Sequence, residues 1–334
     1  MVIPPFIITS EAINKIAEIS ALLERHNITL EGDEHSLRLR KANCIRTIHS
    51  SLAIEGNTLS ENEVRDIFNG KEVIAPLRQI QEVRNAIHVY DIYSQLNPFS
   101  EKDLLKAHSI MMEALTDDAG RYRRGGVGVF GELGLVHLAP PANRVAELMG
   151  DLFNWLRKSN DHLLIRSCVF HYEFEFIHPF SDGNGRMGRL WQSLILGRLN
   201  SIFEHLPVEN MVYANQQEYY KAIAASSSAG QSGPFIDFML NEILKSLKKH
   251  IKEKVPNKVP NKVPNKSELK ILQLLSEAPQ LTRKELAEKI GISQVHLGRL
   301  ENNARSMDLE QVENIAKALG VQPLDILPQA WQGP

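Results

Sequence analysis

Apolar positions in residues 185–199, GRMGRLWQSLILGRL, fall at Met187, Leu190, Trp191 and Leu194. That i, i+3, i+4, i+7 spacing predicts a helix with one buried face. Residues 43–54 repeat the pattern, with Ile45, Ile48 and Leu52 on one side, and Gly56–Asn57 reads as the stop. Ser60 and Glu63 have the spacing of a capping box for the next helix. The pattern changes in 120–141. Val127, Val129 and Phe130 lead into Gly131 and Gly134, then Leu135, Val136 and Leu138, closed by Pro140–Pro141, which predicts a β-hairpin. Helical spacing returns over 268–277, 281–293, 294–303 and 308–320. Thr282 with Glu285 forms a capping box there, Leu281 with Leu286 a hydrophobic staple, and Gly291 supplies a tight turn. The expected fold class is mostly α, with one hairpin.

Between these helical stretches lies a break. VPNK occurs three times over 255–266, and a proline at every fourth residue forbids a regular helix. The segment reads as an extended spacer that could span roughly 35–40 Å. Four regions follow: a helical N-terminal region (1–100), a core (101–250), a linker (251–266) and a small all-α module (267–334).

Composition narrows the class. Hydrophobic residues make up 43% and charged residues 23% of 334 positions, values of ordinary globular proteins with room for more than one domain. No apolar run reaches the ~18 residues of a membrane span, and the first residues lack the basic-then-apolar pattern of an export signal. Cys44 and Cys168 form no CxxC pair, so no disulfide framework is expected and a reducing cytoplasm fits. His171 and His178 are seven apart, unlike the zinc pair of a metalloprotease helix. A net charge of −2 gives no whole-chain sign of nucleic acid.

The candidate chemistry is concentrated in residues 178–189, HPFSDGNGRMGR. The run opens the helix at 185, and a helix N-terminus offers unpaired N–H groups and partial positive charge to an anion. Gly183 and Gly185 let the backbone approach that anion. Arg186 and Arg189, three apart, place two guanidinium groups near one face, and such groups match phosphate oxygens bidentately. Asp182 is the run's one carboxylate. It suits Mg²⁺, which takes one or two carboxylates plus substrate phosphates. His178 stands where a general base could act.

This run resembles the Fic family, whose motif HPFx[DE]GNGRxxR is filled at every fixed place from His178 to Arg189. HYEFEFIHPF (171–180) resembles the family's helix leading into the loop, and the likeness covers roughly 10–250. It implies a Fic-fold helical bundle that transfers AMP from ATP to a protein hydroxyl with Mg²⁺. By position, His178 would deprotonate the hydroxyl, and Asp182 would hold Mg²⁺ against the α- and β-phosphates. Asn184 and the amides around Gly183 and Gly185 would cradle phosphates. Arg186 and Arg189 would clamp the β/γ end, and Phe180 would anchor the loop. The motif lacks the lysine of relatives that act as kinases. SLAIEG (51–56) resembles the family's inhibitory motif, with Ser51 and Glu55 in its fixed places. There Glu55 would compete for Arg189. Residues 127–138 match the family's flap, which holds the target protein as an added strand. Tyr220, beside Tyr219, falls where relatives contact the nucleotide.

Residues 267–328 resemble the helix-turn-helix domain of phage repressors, with RLEN (299–302) and AKALGV (316–321) carrying the likeness. It implies DNA contact through 281–303, with Gln294 and His296 facing bases and Arg283 touching phosphate. Against this, 267–334 holds seven Lys/Arg and nine Asp/Glu. Phosphate contacts dominate DNA affinity, so a homodimer would be needed for a useful site. The expected function is self-inhibited protein AMPylation. The competing reading is a DNA-binding transcription regulator whose Fic part senses ATP.

Overall fold

In a computed structural model of the chain, residues 2–29, 36–131, 134–204, 206, 208–254, 283–289, 314 and 316–318 are described. Contacts divide the chain into two units, Met1–Val255 and Pro256–Pro334.

The first unit begins with α1 (Ser10–Thr29), α2 (Ser36–Ile54), α3 (Glu61–Phe68), α4 (Leu77–Asp91) and α5 (Glu101–Met111). Strands β1 (Gly128–Gly131) and β2 (Gly134–Leu138) follow. They pair antiparallel from Gly128 opposite Leu138 to Gly131 opposite Gly134, with an irregularity at Val129/Phe130. Six further helices complete it: α6 (Val145–Lys158), α7 (Leu163–Ile177), α8 (Asn184–Gly197), α9 (Val208–Ala214), α10 (Gln216–Ala229) and α11 (Gly233–Lys254).

The pair α7–α8 forms the centre. Both helices are buried on nearly every side: Phe170, Phe174, Met187, Trp191 and Ile195 have no exposure. Polar groups are buried with them, among them Arg186, Arg189 and Gln192 of α8 and His171 and Glu175 of α7. The single stripe expected at Met187, Leu190, Trp191 and Leu194 is buried, and so is the rest of α8. Trp191 satisfies its indole N–H on the Pro98 carbonyl at 2.9 Å. The α8 helix starts at Asn184, one residue before its expected start.

Around this pair, α2 packs on α4, α8 and α9, while α1 lies against α11. Ile45, Ile48 and Leu52 form the buried face of α2, so truncating Ile48 to alanine would cost ~2–5 kcal/mol. The chain leaves α2 through Gly56 at φ +88°, a conformation that favours glycine. Asn57 then turns inward and donates to Glu82 Oε2 at 2.8 Å and to the Gln79 carbonyl at 3.2 Å. The Ser60–Glu63 capping box starts α3 with both hydrogen bonds in place.

Residues 1–100 share one unit with the core, and α11 continues through 250 to Lys254. In the second unit a short helix, α12 (Arg283–Lys289), is described, with Ala287 and Ala316 buried. The expected spacer, the Thr282 cap and the helices beyond 289 lie outside the described residues, apart from 314 and 316–318.

Candidate active site

The loop between α7 and α8 starts with a strained residue. His178 caps α7 at φ 50°, ψ 62°, left-handed values that a non-glycine residue rarely adopts. Arg123 holds it there. Its Nε donates to the His178 carbonyl at 2.7 Å, and its Nη2 to the carbonyls of Ile177 (3.2 Å) and Pro140 (2.6 Å). Nη1 donates to the Gly125 carbonyl at 2.8 Å, and the Arg123 backbone N–H to the Pro179 carbonyl at 2.9 Å. One buried guanidinium thus satisfies the end of α7 and ties it to the chain flanking the hairpin.

The next fixed point is Phe180, fully buried and stacked on His108 at 3.6 Å between ring centroids. The Asn184 side chain closes the loop against Phe180, accepting from its N–H at 2.9 Å and donating to its carbonyl at 2.8 Å. One N–H of the Asn184 amide is therefore committed within the loop, and the second is left for a ligand. Its backbone N–H in the first turn of α8 would contribute to an anion as well. His108 braces the loop from behind: Nε2 lies 3.0 Å from the Asp182 carbonyl, and Nδ1 accepts the Gly120 N–H at 2.8 Å. Because Nδ1 is an acceptor, Nε2 carries the proton and the ring is neutral. Burial pushes its pKa down to about 4, against a smaller upward pull from Asp182.

Gly183 takes φ +84° against Met112, whose Sδ would meet an added Cβ at 2.8 Å. At Gly185 an added Cβ would run into the Glu55 carboxylate and lie 2.9 Å from Arg189 Nη1. Gly185 therefore makes room for Glu55 as well as for close backbone approach.

The two arginines differ. Arg189 is almost wholly buried. Its Nη2 donates to Glu55 Oε1 at 2.8 Å and to the Ser51 carbonyl at 3.0 Å, with the Ser51 hydroxyl 3.4 Å from Nε. Burial lowers the Arg189 pKa, but Glu55 and the neighbouring acidic groups outweigh it, and the net shift is upward. Arg186 is 3% exposed and donates from Nη2 to Asp182 Oδ1 at 3.0 Å. Its Nε and Nη1 are buried with no hydrogen-bond partner among the described residues. Unsatisfied buried N–H groups are costly, and here two such nitrogens sit at the amino end of α8, where an anion would satisfy them.

Asp182 is 42% exposed. Its Oδ1 also accepts the Gly183 N–H at 2.6 Å, and its Oδ2 lies 3.3 Å from Arg78 Nη2. Among the described residues no three acidic, histidine or cysteine side chains converge as a metal site. A part-exposed carboxylate at the amino end of α8, already beside Arg186 and Arg78, fits a Mg²⁺ ion that arrives with a nucleotide.

Behind His178 lies a buried polar cluster. His171 Nδ1 donates to Gln192 Oε1 at 2.5 Å, which leaves Nε2 to accept from the Tyr219 hydroxyl at 3.1 Å. Burial lowers the His171 pKa to about 4. Glu175, on the same helix, is pushed up to about 7 by burial, with Arg189 pulling it down and Glu55 pushing it up. Tyr219 is core, whereas Tyr220 is half-buried and feels both Glu55 and Arg189.

The structure therefore gathers Ser51, Glu55, Asp182, Arg186, Arg189 and Tyr220 around the amino end of α8, beside His178. Arg283 is described in its backbone alone, and Gln294 and His296 lie outside the described residues. Arg78, His108, Arg123 and Glu175 were not singled out from sequence. The first three come from distant segments without a motif. Glu175 left a readable trace, an acid inside the apolar stretch 163–177.

Residues 98–196 match the Fic/DOC family model, and residues 277–326 match the Helix-turn-helix model. A crystal structure of a Fic family protein from Desulfovibrio desulfuricans G20 is 42% identical, with a TM-score of 0.73 over 90% of each chain. Fic-1 from C. elegans shares the fold at a TM-score of 0.58 and 22% identity, over 73% of this chain and 72% of that one. Among curated sequences, "Protein adenylyltransferase fic-1" of Caenorhabditis briggsae is 30% identical over 222 residues, and "Protein adenylyltransferase Fic" of Culex quinquefasciatus is 28% identical over 214. These matches cover 62% and 60% of this chain but 41% and 40% of those proteins. With the loop geometry, these likenesses establish that the chain belongs to the Fic/DOC family.

Proposed function

We propose that the first unit transfers AMP from ATP to a hydroxyl side chain of a target protein. The observation that carries this reading is Arg186, whose buried Nε and Nη1 lack a partner among the described residues beside the α8 amino end. A triphosphate supplies the missing acceptors, and the adenylyltransferase names of the relatives support adenine as the base.

The chemistry needs positioning, charge neutralisation and one proton acceptor. The first-turn amides of α8 and Arg186 bind the phosphates. Asp182 would hold Mg²⁺, which would neutralise charge on the phosphates. His178 takes the proton from the target hydroxyl as its oxygen attacks the α-phosphorus in line and pyrophosphate leaves with the electrons of the broken bond. Tyr220 flanks the nucleotide.

Glu55 acts as a brake in this reading. While it occupies Arg189 at 2.8 Å, that arginine cannot hold the γ-phosphate, and the α-phosphate is turned away from the hydroxyl. The hairpin over 127–138 receives the target as an added strand through main-chain hydrogen bonds. Its backbone pairing, β1 against β2, and the tie from Arg123 to the flanking Gly125 and Pro140 carbonyls support this role. Removal of AMP by the same site belongs to this proposal as a second activity.

The Helix-turn-helix match over 277–326 favours a second role. In it a dimer contacts DNA through Arg283, Gln294 and His296, and the Fic part reports ATP. No helix among the described residues is long and apolar enough to cross a membrane, and we place the protein in the cytoplasm.

Labelled ATP separates the two readings. AMP on the chain itself or on lysate proteins, rising in Glu55→Gly, supports transfer. Retention on DNA with no transfer, even in Glu55→Gly, supports the regulator. Competition among ATP, UTP and GTP tests the base.

A further inference from the structure

We propose that Glu175 is a positioning residue for His178: its carboxylate keeps the proton on Nδ1, so that Nε2 faces substrate as the base. The inference rests on the AMP-transfer reading above and adds to it an orienting group behind the base.

Glu175 sits three residues before His178, one turn back along α7, so the two side chains share a face. Oε2 lies 3.9 Å from His178 Nδ1, an ion-pair distance, and that nitrogen is itself buried. Contacts of catalytic bases are often long before substrate binds and tighten afterwards. The other oxygen, Oε1, is buried, accepts no hydrogen bond among the described residues, and lies 3.9 Å from His171 Nε2.

Of the two imidazoles that face this carboxylate, His171 cannot donate to it. Its Nδ1–H is committed to Gln192 and its Nε2 accepts from Tyr219. The other ring, His178, turns its Nδ1 toward Oε2. The space is reserved for the acid as well, since a Cβ on Gly188 would meet Oε1 at 2.7 Å. An acid so placed, with one oxygen unpaired among the described residues, costs stability.

The groups around it come from four elements: His171 and His178 on α7, Arg189 on α8, Tyr219 on α10, and Glu55 at the end of α2. Arg189 favours the charged carboxylate and Glu55 opposes it. When a proton leaves the target hydroxyl for Nε2, the ring becomes positive. A carboxylate against Nδ1 steadies that charge and makes the base stronger, the arrangement of a base oriented by a third group.

Two measurements on the full chain test this. In the wild type, long-range ¹⁵N correlation of His178, assigned by comparison with His178→Ala, should show the Nδ1–H tautomer above neutral pH. An Nε2–H tautomer would overturn the proposal. In Glu175→Gln the His178 pKa should fall by ~1 unit or more, because an opposite charge nearby is lost. A pKa that stays put would overturn it equally.

In a Glu55→Gly background, Glu175→Gln should lower kcat about tenfold or more, a part of the ~10²–10⁴-fold share of a general base. ATP affinity should hold, the acid limb of the pH–rate profile should move to lower pH, and Glu175→Asp should recover part of the rate. If Glu55→Gly alone transfers nothing, the AMP-transfer reading fails, while the tautomer and the pKa still decide the role of Glu175. If Glu175→Gln does not fold, the wild-type tautomer decides.

Discussion

Arg189 and Glu55 meet at 2.8 Å across 134 residues of chain, the guanidinium almost wholly buried and the carboxylate about one-third exposed. The arginine comes from the second turn of α8 and the glutamate from the residue that follows α2. Because α2 packs on α8, the end of α2 delivers a negative charge to a buried guanidinium of α8.

Replacing Glu55 by glycine should release Arg189 to ATP. A hydrogen bond to a charged group is worth ~1.5–3 kcal/mol, so transfer of labelled AMP should rise ~10–100-fold. An unchanged rate would remove the brake from this account.

His178→Ala should reduce transfer by ~10²–10⁴-fold while ATP still binds, because Arg186 and the α8 amides are untouched. Calorimetric titration with ATP beside a single-turnover assay checks both halves. Full transfer by this variant would end the general-base assignment.

Arg123→Met should leave the carbonyls of Ile177, His178 and Pro140 without their donor. Each buried unsatisfied group costs ~1–3 kcal/mol, so the denaturation midpoint should fall. The rate should fall through kcat more than KM, since His178 loses its fixed backbone. A variant that keeps kcat would show that the left-handed residue holds itself.

Asp182→Asn should raise the Mg²⁺ concentration needed for half-maximal transfer. Losing a supporting contact of a metal ligand costs about 10–100-fold in affinity, and losing the ligand itself should cost no less. Titration of Mg²⁺ at saturating ATP reads this directly, and chelation should stop transfer in both proteins.

Stability should respond to pH through two opposed groups. The folded pKa of Glu175 is about 7, above its ordinary 4.5, so its contribution is fully present below pH 4.5 and is lost as pH rises through 7. The folded pKa of His171 is about 4, below its ordinary 6.5, so stability is lost as pH falls from 6.5 to 4. Between 4.5 and 6.5 these slopes oppose each other and the wild type should be nearly flat. Glu175→Gln should match the wild type near pH 4 and exceed it by about 3 kcal/mol near pH 8. Urea midpoints across pH would record it. A more stable and less active variant is the mark of a group kept for function.

Much of the site was legible because its residues are neighbours in the chain. Residues 178–189 place base, carboxylate, glycines and arginines within one turn and one helix start, where local spacing fixes their order. Asn184 was assigned to phosphate because a side-chain amide is as able to bind an anion as to close a loop. The position of the Phe180 backbone shows that it closes the loop. Arg123 and His108 carry no motif, and their work on the loop depends on segments more than 50 residues away.

The linear order of residues was enough for the mostly helical character, the stop at Gly56, the Ser60–Glu63 cap and the run 178–189, since each depends on groups within a few positions of one another. It also carried the family likenesses of both parts of the chain. Tertiary structure alone decided that Glu55 touches Arg189, that two nitrogens of Arg186 are left without acceptors among the described residues, and that Glu175 lies behind His178. Those relations depend on burial and on distances between separate helices. Burial turns a glutamate that would be ordinary in water into one with a pKa near 7, and no spacing in the chain encodes the solvent it will lose.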